Sequence, residues 1–392
     1  MKRIGVIGGG QLAWMMASAA QKLGLELVVQ TPDPGDVAVS LAAEAVFAEV
    51  DDVAATAVLA AKCDAITFEN EFVDLDGLSK LAATGKASFL PKLSALAPLL
   101  DKYRQRCYLQ ELGLPTPQFA LLERAALPPW FAFPVVVKAR RNGYDGQGTF
   151  IIKSQAALES LCDRYPDTPF LVEEFVNFDR ELAVIVARGV DGEVVTYPIL
   201  ETQQEDQVCR RVFTISDLPV ETIDLCNSIA AKLMTSLDAV GVFGIELFAT
   251  ADGRVSVNEI APRTHNSGHL TIEACATSQF SQLLRAVAGL PLGSTALTCG
   301  GAVMVNLLGY EDTHSDYLTQ RQQIAALPHT YLHWYGKQSR VGRKLGHVTL
   351  LVGTDAEHER QDYRSQAEAL ARQVEAIWYV QTPVAKIADL AS

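Results

Sequence analysis

The stretch VGVFGIELFATADGRVSVNEIA, residues 240–261, reads as two strands joined at Asp252-Gly253, a dipeptide that favours a two-residue hairpin turn. In a regular ladder around that turn Glu246 faces Glu259, with Cβ atoms roughly 5 Å apart. Two like charges so placed repel unless a proton or a cation lies between them. Their flanks, Phe243-Gly244-Ile245 and Val257-Asn258, are largely apolar, which predicts a partly buried hairpin. Hard oxygen donors, with Asn258 adjacent, suit Mg²⁺ carrying nucleotide phosphates.

Working back along the chain, Val135–Lys138 is a β-branched strand ending in a lysine, followed by Asn142-Gly143-Tyr144-Asp145-Gly146-Gln147-Gly148 and a new strand at Thr149. Glycines at this density between two strands form a flap whose amides can wrap phosphate oxygens, and Lys138 adds a point charge. It is no Walker loop, because no GK[ST] is present and no helix follows. Further on, the strand Phe170–Val172 runs into Glu173-Glu174-Phe175-Val176, with Glu181 shortly after. A strand entering a loop can offer backbone groups to an adenine edge, and a carboxylate beyond it can take ribose hydroxyls.

Forward of the hairpin, Pro262-Arg263-Thr264-His265-Asn266-Ser267-Gly268-His269 is dense in hydrogen-bond donors and leads into an expected apolar helix at Ile272–Ala276. The i, i+4 histidines His265 and His269 are a poor zinc motif, since Ser267 and Gly268 predict a loop. Donors beside a cation site more naturally hold an anionic substrate. Near the end, Trp334-Tyr335-Gly336-Lys337-Gln338-Ser339-Arg340-Val341-Gly342-Arg343-Lys344-Leu345-Gly346 concentrates cations and glycines in a chain of net charge −13, as a phosphate-monoester site would.

The N-terminal part alternates strands (Arg3–Ile7, Leu25–Gln30, Ala65–Phe68) with helical stretches such as Leu12–Leu23, which implies a doubly wound parallel sheet. Gly8-x-Gly10-x-x-Ala13 between strand and helix, with Asp33 downstream, resembles a dinucleotide fingerprint. Asp33 lies beyond its strand, however, and Trp14 brings bulk beside the turn, so a βα turn serving another ligand is preferred to NAD. A helix carrying Asp101, Lys102, Arg104 and Arg106 on its polar faces follows, and Leu290-Pro291-Leu292-Gly293 marks a boundary before a β-rich region.

At 392 residues, 49% hydrophobic and 20% charged, the chain is expected to form two or three globular domains. The charge argues against a nucleic-acid partner, and no apolar run reaches the ~20 residues of a membrane helix. Seven scattered cysteines without a CxxC pair fit free thiols in the cytoplasm.

Taken together, GGGQL (8–12), TFENE (67–71), GYDGQG (143–148), EEFV (173–176), NEIAPRTHNSGH (258–269), QFSQLLRAVAGLPLG (279–293) and YGKQSRVGRKLGH (335–347) resemble the ATP-grasp carboxylases of purine synthesis, the N5-carboxyaminoimidazole ribonucleotide synthetases. The resemblance implies α/β and α+β architecture: a Rossmann-like domain over 1–96, an ATP-grasp over 97–298 with a flap subdomain near 118–180, and a small β-rich domain over 299–392. It implies ATP contacts by Lys102, Lys138, Gly143, Tyr144, Asp145, Gly146, Gln147, Gly148, Thr149, Glu173, Glu174, Phe175, Val176, Glu181, Gln204, Asn258 and Glu259, with Mg²⁺ held by Glu246, Glu259 and Asn258. Gln11, Leu12, Glu71, Arg263, His265, Asn266, Ser267, Lys337, Arg343 and Lys344 would surround 5-aminoimidazole ribonucleotide, and Asp145, Lys337 and Arg263 would serve the reaction with bicarbonate. A homodimer is implied as well. The chain departs from the family at Ala13-Trp14, Gln147 and Gln204. The alternative is another ATP-grasp ligase, of the formate-dependent glycinamide ribonucleotide transformylase type.

Overall fold

The computed structural model describes residues 1–141, 148–205, 207–214, 217–354 and 362–379. Its first layer is a parallel sheet of β1 (Arg3–Ile7), β2 (Glu26–Thr31), β3 (Glu44–Phe47) and β4 (Ala65–Phe68) in the order β3-β2-β1-β4. Helices α1 (Gln11–Leu23), α2 (Val53–Ala60), α3 (Leu75–Ala83) and α4 (Leu93–Leu96) accompany it. Alternate strand residues divide between two cores: Ile4, Val6, Leu27 and Val29 in one, Ile7, Val28, Ile66 and Phe68 in the other. Burial on both faces explains why these strands read as unbroken apolar runs.

Helix α5 (Lys102–Glu111) leads into a small antiparallel sheet of β5 (Phe119–Leu122), β6 (Val135–Ala139), β7 (Thr149–Ile152) and β8 (Phe170–Glu174), ordered β5-β8-β6-β7, with α6 (Gln155–Arg164) in the β7–β8 connection. A large antiparallel sheet follows. It contains β9 (Arg180–Arg188), β10 (Val194–Thr196), β11 (Leu200–Glu205), β12 (Val208–Phe213), β13 (Gly241–Ala249) and β14 (Val255–Ala261), with α7 (Val220–Ser236) before β13. After α8 (Thr271–Ala274) and α9 (Gln279–Ala288) come β15 (Gly301–Leu308), α10 (Leu318–Ala325), β16 (Thr330–Trp334), β17 (Lys344–Val352) and α11 (Tyr363–Trp378).

The late strands extend the central sheet. Its nine strands run β14-β13-β9-β11-β12-β15-β17-β16, with β10 beside β9. The junction is the β12–β15 pair, in which Arg211 faces Val305 and Phe213 faces Val303. The Leu290–Gly293 break is a change of direction in the chain, while the hydrogen-bonded layer continues past it.

Three local expectations need correction. The helix expected at Ile272–Ala276 is one turn, Thr271–Ala274; Cys275 leaves it to pair with Leu297 in an isolated bridge. The polar residues of α5 divide: Arg104 is exposed and Lys102 half-buried, while Asp101, Gln105 and Arg106 are buried. Finally, the β13–β14 hairpin has no two-residue turn. Thr250 N–H donates to Arg254 at 2.9 Å and Gly253 N–H to Thr250 at 2.9 Å, making a three-residue loop. That pairs Leu247 with Val257, and a bulge at Asn258 then restores the register so that Glu246 does face Glu259.

The β1–α1 turn is shaped by a side chain. Gly8 has φ +119°, and a Cβ built there would lie 2.6 Å from Glu69 Cβ. Gly8→Ala is therefore expected to cost about 2 kcal/mol or more, seen as a lowered thermal midpoint that Glu69→Gly in the same chain partly restores. An unchanged midpoint would refute this close approach.

Candidate active site

A cleft of about 1030 Å³ opens where the three sheets meet. Expected site residues Gln11, Leu12, Glu71, Lys102, Thr149, Gln204, Glu246, Glu259, Arg263, His265, Asn266, Ser267 and Lys344 line it. Lys138, Glu173 and Asn258 form the layer behind that wall. Glu174, Phe175, Val176 and Glu181 stand at or after the end of β8, with Phe175 exposed and Glu181 half-buried. Gly148 precedes β7 with φ +78°. Gly143, Tyr144, Asp145, Gly146 and Gln147 lie outside the described residues.

The layer behind the wall is a buried charge cluster. Arg106 Nε donates to Glu173 Oε1 at 2.5 Å, and Lys138 Nζ lies 2.9 Å from Glu173 Oε2 and 2.9 Å from Asn258 Oδ1. Arg106 also donates to the carbonyls of Val257 at 3.0 Å and Asn258 at 2.6 Å. Burial works to raise the Glu173 carboxyl, but the Arg106 and Lys138 charges outweigh it and hold the group at about 2. Burial lowers the Lys138 ammonium, and Arg106 and Lys102 act the same way against Glu173. Glu173 thus orients Lys138 and is itself only 2% exposed. Arg106 and Gln105, which bonds both backbone groups of Ile260, satisfy the outer edge of β14.

On the wall, Lys102 at the start of α5 pairs with Glu259 at 2.5 Å. Its position is set by Asp101, which caps α5 through Tyr103 and Arg104 and holds Arg140 at the end of β6. Among the described residues Glu246 has no such partner at close range; His265 Nε2 is 3.5 Å away. Burial first, then the charges of Glu259 and Glu181, push its carboxyl up to about 7, whereas lysine charges hold Glu259 low against burial. The pair is therefore one proton or one cation short of balance. Among the described residues no group of three or more His, Cys, Asp or Glu could hold a metal ion, so a hard cation here needs further oxygens from a ligand.

The opposite wall gathers cationic and hydrogen-bonding side chains. Arg263 Nε lies 3.0 Å from Glu71, His265 Nδ1 is 2.8 Å from Ser267 Oγ, and Lys337 reaches across to Gln11. Arg343 is exposed and donates to Gln338 at 3.2 Å, outside the cleft lining. Sequence reading missed Glu69, which lines the cleft between the β1 and β4 ends. Burial raises its carboxyl against the Arg263 and Lys337 charges, and Leu12 N–H bonds it. A carboxylate thus occupies the α1 N-terminus where a dinucleotide's phosphates would sit, which disposes of the NAD reading. Trp14 meets the edges of His333 and Tyr335 at 6.5 Å each. The signal for Glu69 was its place at the carboxyl end of a parallel strand. Gln204 bonds the Glu181 carboxylate, which burial raises.

Three family models match: the ribonucleotide synthetase preATP-grasp domain over residues 1–98, the ATP-grasp domain over 107–280, and the phosphoribosylaminoimidazole carboxylase C-terminal domain over 302–361. N5-carboxyaminoimidazole ribonucleotide synthase of Synechococcus elongatus is 53% identical over 96% of both chains, and that of Synechocystis sp. is 52% identical over 96% of this chain and 98% of its own. The Aspergillus clavatus enzyme solved with ADP and 5-aminoimidazole ribonucleotide superposes with TM-score 0.87 at 29% identity, covering 96% of this chain and 98% of that one. The Thermotoga maritima enzyme gives 0.82 at 37% identity, over 96% and 98%.

Filling the carboxylate pair with a cation must expel the Glu246 proton. Calorimetric titration with Mg²⁺-ADP in two buffers of different ionisation enthalpy should show release of about one proton at pH 6 and little at pH 8.5. Equal proton release at both values would refute the raised Glu246.

Proposed function

The chain belongs to the N5-carboxyaminoimidazole ribonucleotide synthase family, and from that premise we propose that it uses ATP to carboxylate 5-aminoimidazole ribonucleotide with bicarbonate. The observation that carries the reading is one cleft with the unbalanced Glu246–Glu259 pair on one wall and the Arg263–Ser267 donors on the other. The relatives favour this reaction over the formyl-transferring alternative.

ATP supplies the driving chemistry: a bicarbonate oxygen takes the terminal phosphoryl, ADP leaves, and the substrate amine then forms an N–C bond as phosphate and a proton depart. Glu246 and Glu259, with Asn258 beside them, would hold Mg²⁺, which neutralises phosphate charge. Lys138, aimed by Glu173 and Asn258, meets the same phosphates, and Lys102 acts from beside Glu259. The adenine end lies toward Phe175 and Val176, where Phe178 and Phe248 stack at 4.6 Å, and Glu181 takes the ribose. Arg263, His265, Asn266, Ser267, Lys344, Gln11 and Glu71 receive the ribonucleotide and bicarbonate, with Lys337 and Asp145 serving the reacting groups. Excluding water around a phosphorylated bicarbonate prevents its hydrolysis. We place the enzyme in the cytoplasm as a homodimer, a state checked by sedimentation.

ADP release should depend on bicarbonate, rise with 5-aminoimidazole ribonucleotide, and accompany transfer of labelled carbon to the ribonucleotide. Absence of that transfer sinks the reading. Glu259→Gln should lower turnover by at least about a hundred-fold with the circular dichroism spectrum unchanged; near-normal turnover would remove Glu259 from the metal site.

A further inference from the structure

A polar row runs beneath the Arg263–Ser267 wall. On neighbouring strands β15, β17 and β16, Asn306 faces His347 and His347 faces His333. The segment after Arg263 lies along that row. Asn266 and Asn306 exchange amide hydrogen bonds of 2.8 and 3.0 Å, the His269 ring lies 4.9 Å from that of His347, and Glu273 Oε1 is 2.7 Å from His333 Nε2. Of these side chains, His269 is the ring that lines the cleft, although it is only 1% exposed.

The protonation pattern of this ring can be read from Gln279, whose side chain is fully buried. Its Oε1 accepts from His265 N–H at 2.9 Å, and its Nε2 donates to the His265 carbonyl at 2.8 Å. A backbone carbonyl only accepts and a backbone N–H only donates, so these two bonds fix which end of the amide is nitrogen. That same Nε2 lies 3.2 Å from His269 Nδ1. Its second hydrogen therefore points at Nδ1, which must accept, and the ring proton sits on Nε2. The amide is packed directly against Gly268, where a Cβ would lie 2.6 Å from Gln279 Oε1, and the Gln279 backbone N–H is anchored to Thr271 Oγ1 at 2.9 Å. Burial, then the charges of Lys344, His265, His333 and Arg263, keep the ring neutral. Nε2–H has no hydrogen-bond acceptor among the described residues.

We infer that Gln279 is a positioning residue that holds His269 as the Nε2–H tautomer, and that this N–H is an uncharged donor to an oxyanion of the substrates. The assignment rests on the function proposed above for its ligand, but not for its tautomer. A neutral donor adds a directed hydrogen bond on a wall where Arg263 and Lys344 already supply charge. Either a carbonate oxygen or the ribonucleotide phosphate offers the required chemistry.

Two-bond ¹H–¹⁵N correlation spectra of the whole protein, with assignment through His269→Gln, should show His269 as the neutral Nε2–H form from pH 6 to 9. An Nδ1–H or doubly protonated ring at pH 7 overturns the inference, whatever the enzyme's activity proves to be. In kinetics, His269→Leu should raise one KM by about ten- to a hundred-fold, and His269→Gln, which keeps an uncharged donor, should recover most of it. A shift in KM for bicarbonate assigns the carbonate, and a shift in KM for 5-aminoimidazole ribonucleotide assigns the phosphate. A folded His269→Leu with neither KM altered, or with ATP alone affected, overturns the donor role. Gln279→Glu offers Nδ1 an acceptor in place of a donor, so a new ionisation should enter its pH–rate profile; a profile parallel to the parent's would overturn the positioning role.

Discussion

The buried cluster of Arg106, Glu173, Lys138 and Asn258 holds the nucleotide side of this molecule together. Its members come from α5, β8, β6 and β14, so it joins the small sheet to the edge of the large one. An isolated charge in that place would be intolerable, and breaking such a set by removing one partner typically costs about 3–5 kcal/mol. The cluster tolerates burial because Glu173 has a cation on each oxygen and Arg106 spends its remaining donors on two backbone carbonyls. Lys138 is thereby held in place just behind the cleft wall, and the strand edge carrying Glu259 is clamped in the same act.

That clamp also explains how the carboxylates come to face each other. The loop of the hairpin is one residue longer than Asp252-Gly253 suggests, and the bulge at Asn258 is one residue in the opposite strand. The two departures cancel at Glu259. The carbonyls that Arg106 binds, Val257 and Asn258, are those of the bulge region. A bulge at this point lets Asn258 reach Lys138 while its neighbour Glu259 reaches Lys102, which strict alternation along a strand would forbid.

Much of the architecture was legible in the chain because it is local. Apolar runs of strand length, glycines after β1 and proline breaks near 115 and 134 are properties of neighbouring residues, and the Glu246–Glu259 pairing followed from turn chemistry even with the loop length misjudged. What stayed hidden depends on distant partners. Arg106 reads as a surface residue until Val257 is placed beside it, 151 positions later. Glu69 looks like either of the two acids in TFENE until Gly8 and Gly10 are wrapped around it. Gln279 gives no hint in the sequence that it steers a histidine ten residues earlier. The union of β12 with β15 is likewise invisible, since an edge is defined only by what pairs with it.

The union of those two strands bears on how the chain reaches its working form. Gln11 meets Lys337 across 326 positions, and β17 is connected to the nucleotide-side strands only through β15 and β12. Contacts of such separation form late, because closing the intervening loop costs entropy before any contact repays it. During synthesis the N-terminal layer, the small sheet and strands β9–β14 can gather first, giving a partly built species able to meet a nucleotide but lacking the strands that complete the wall for the acceptor. Competence to spend ATP productively therefore arrives with the last strands, and the interval before it is when the open β12 edge is most exposed to pairing with another chain.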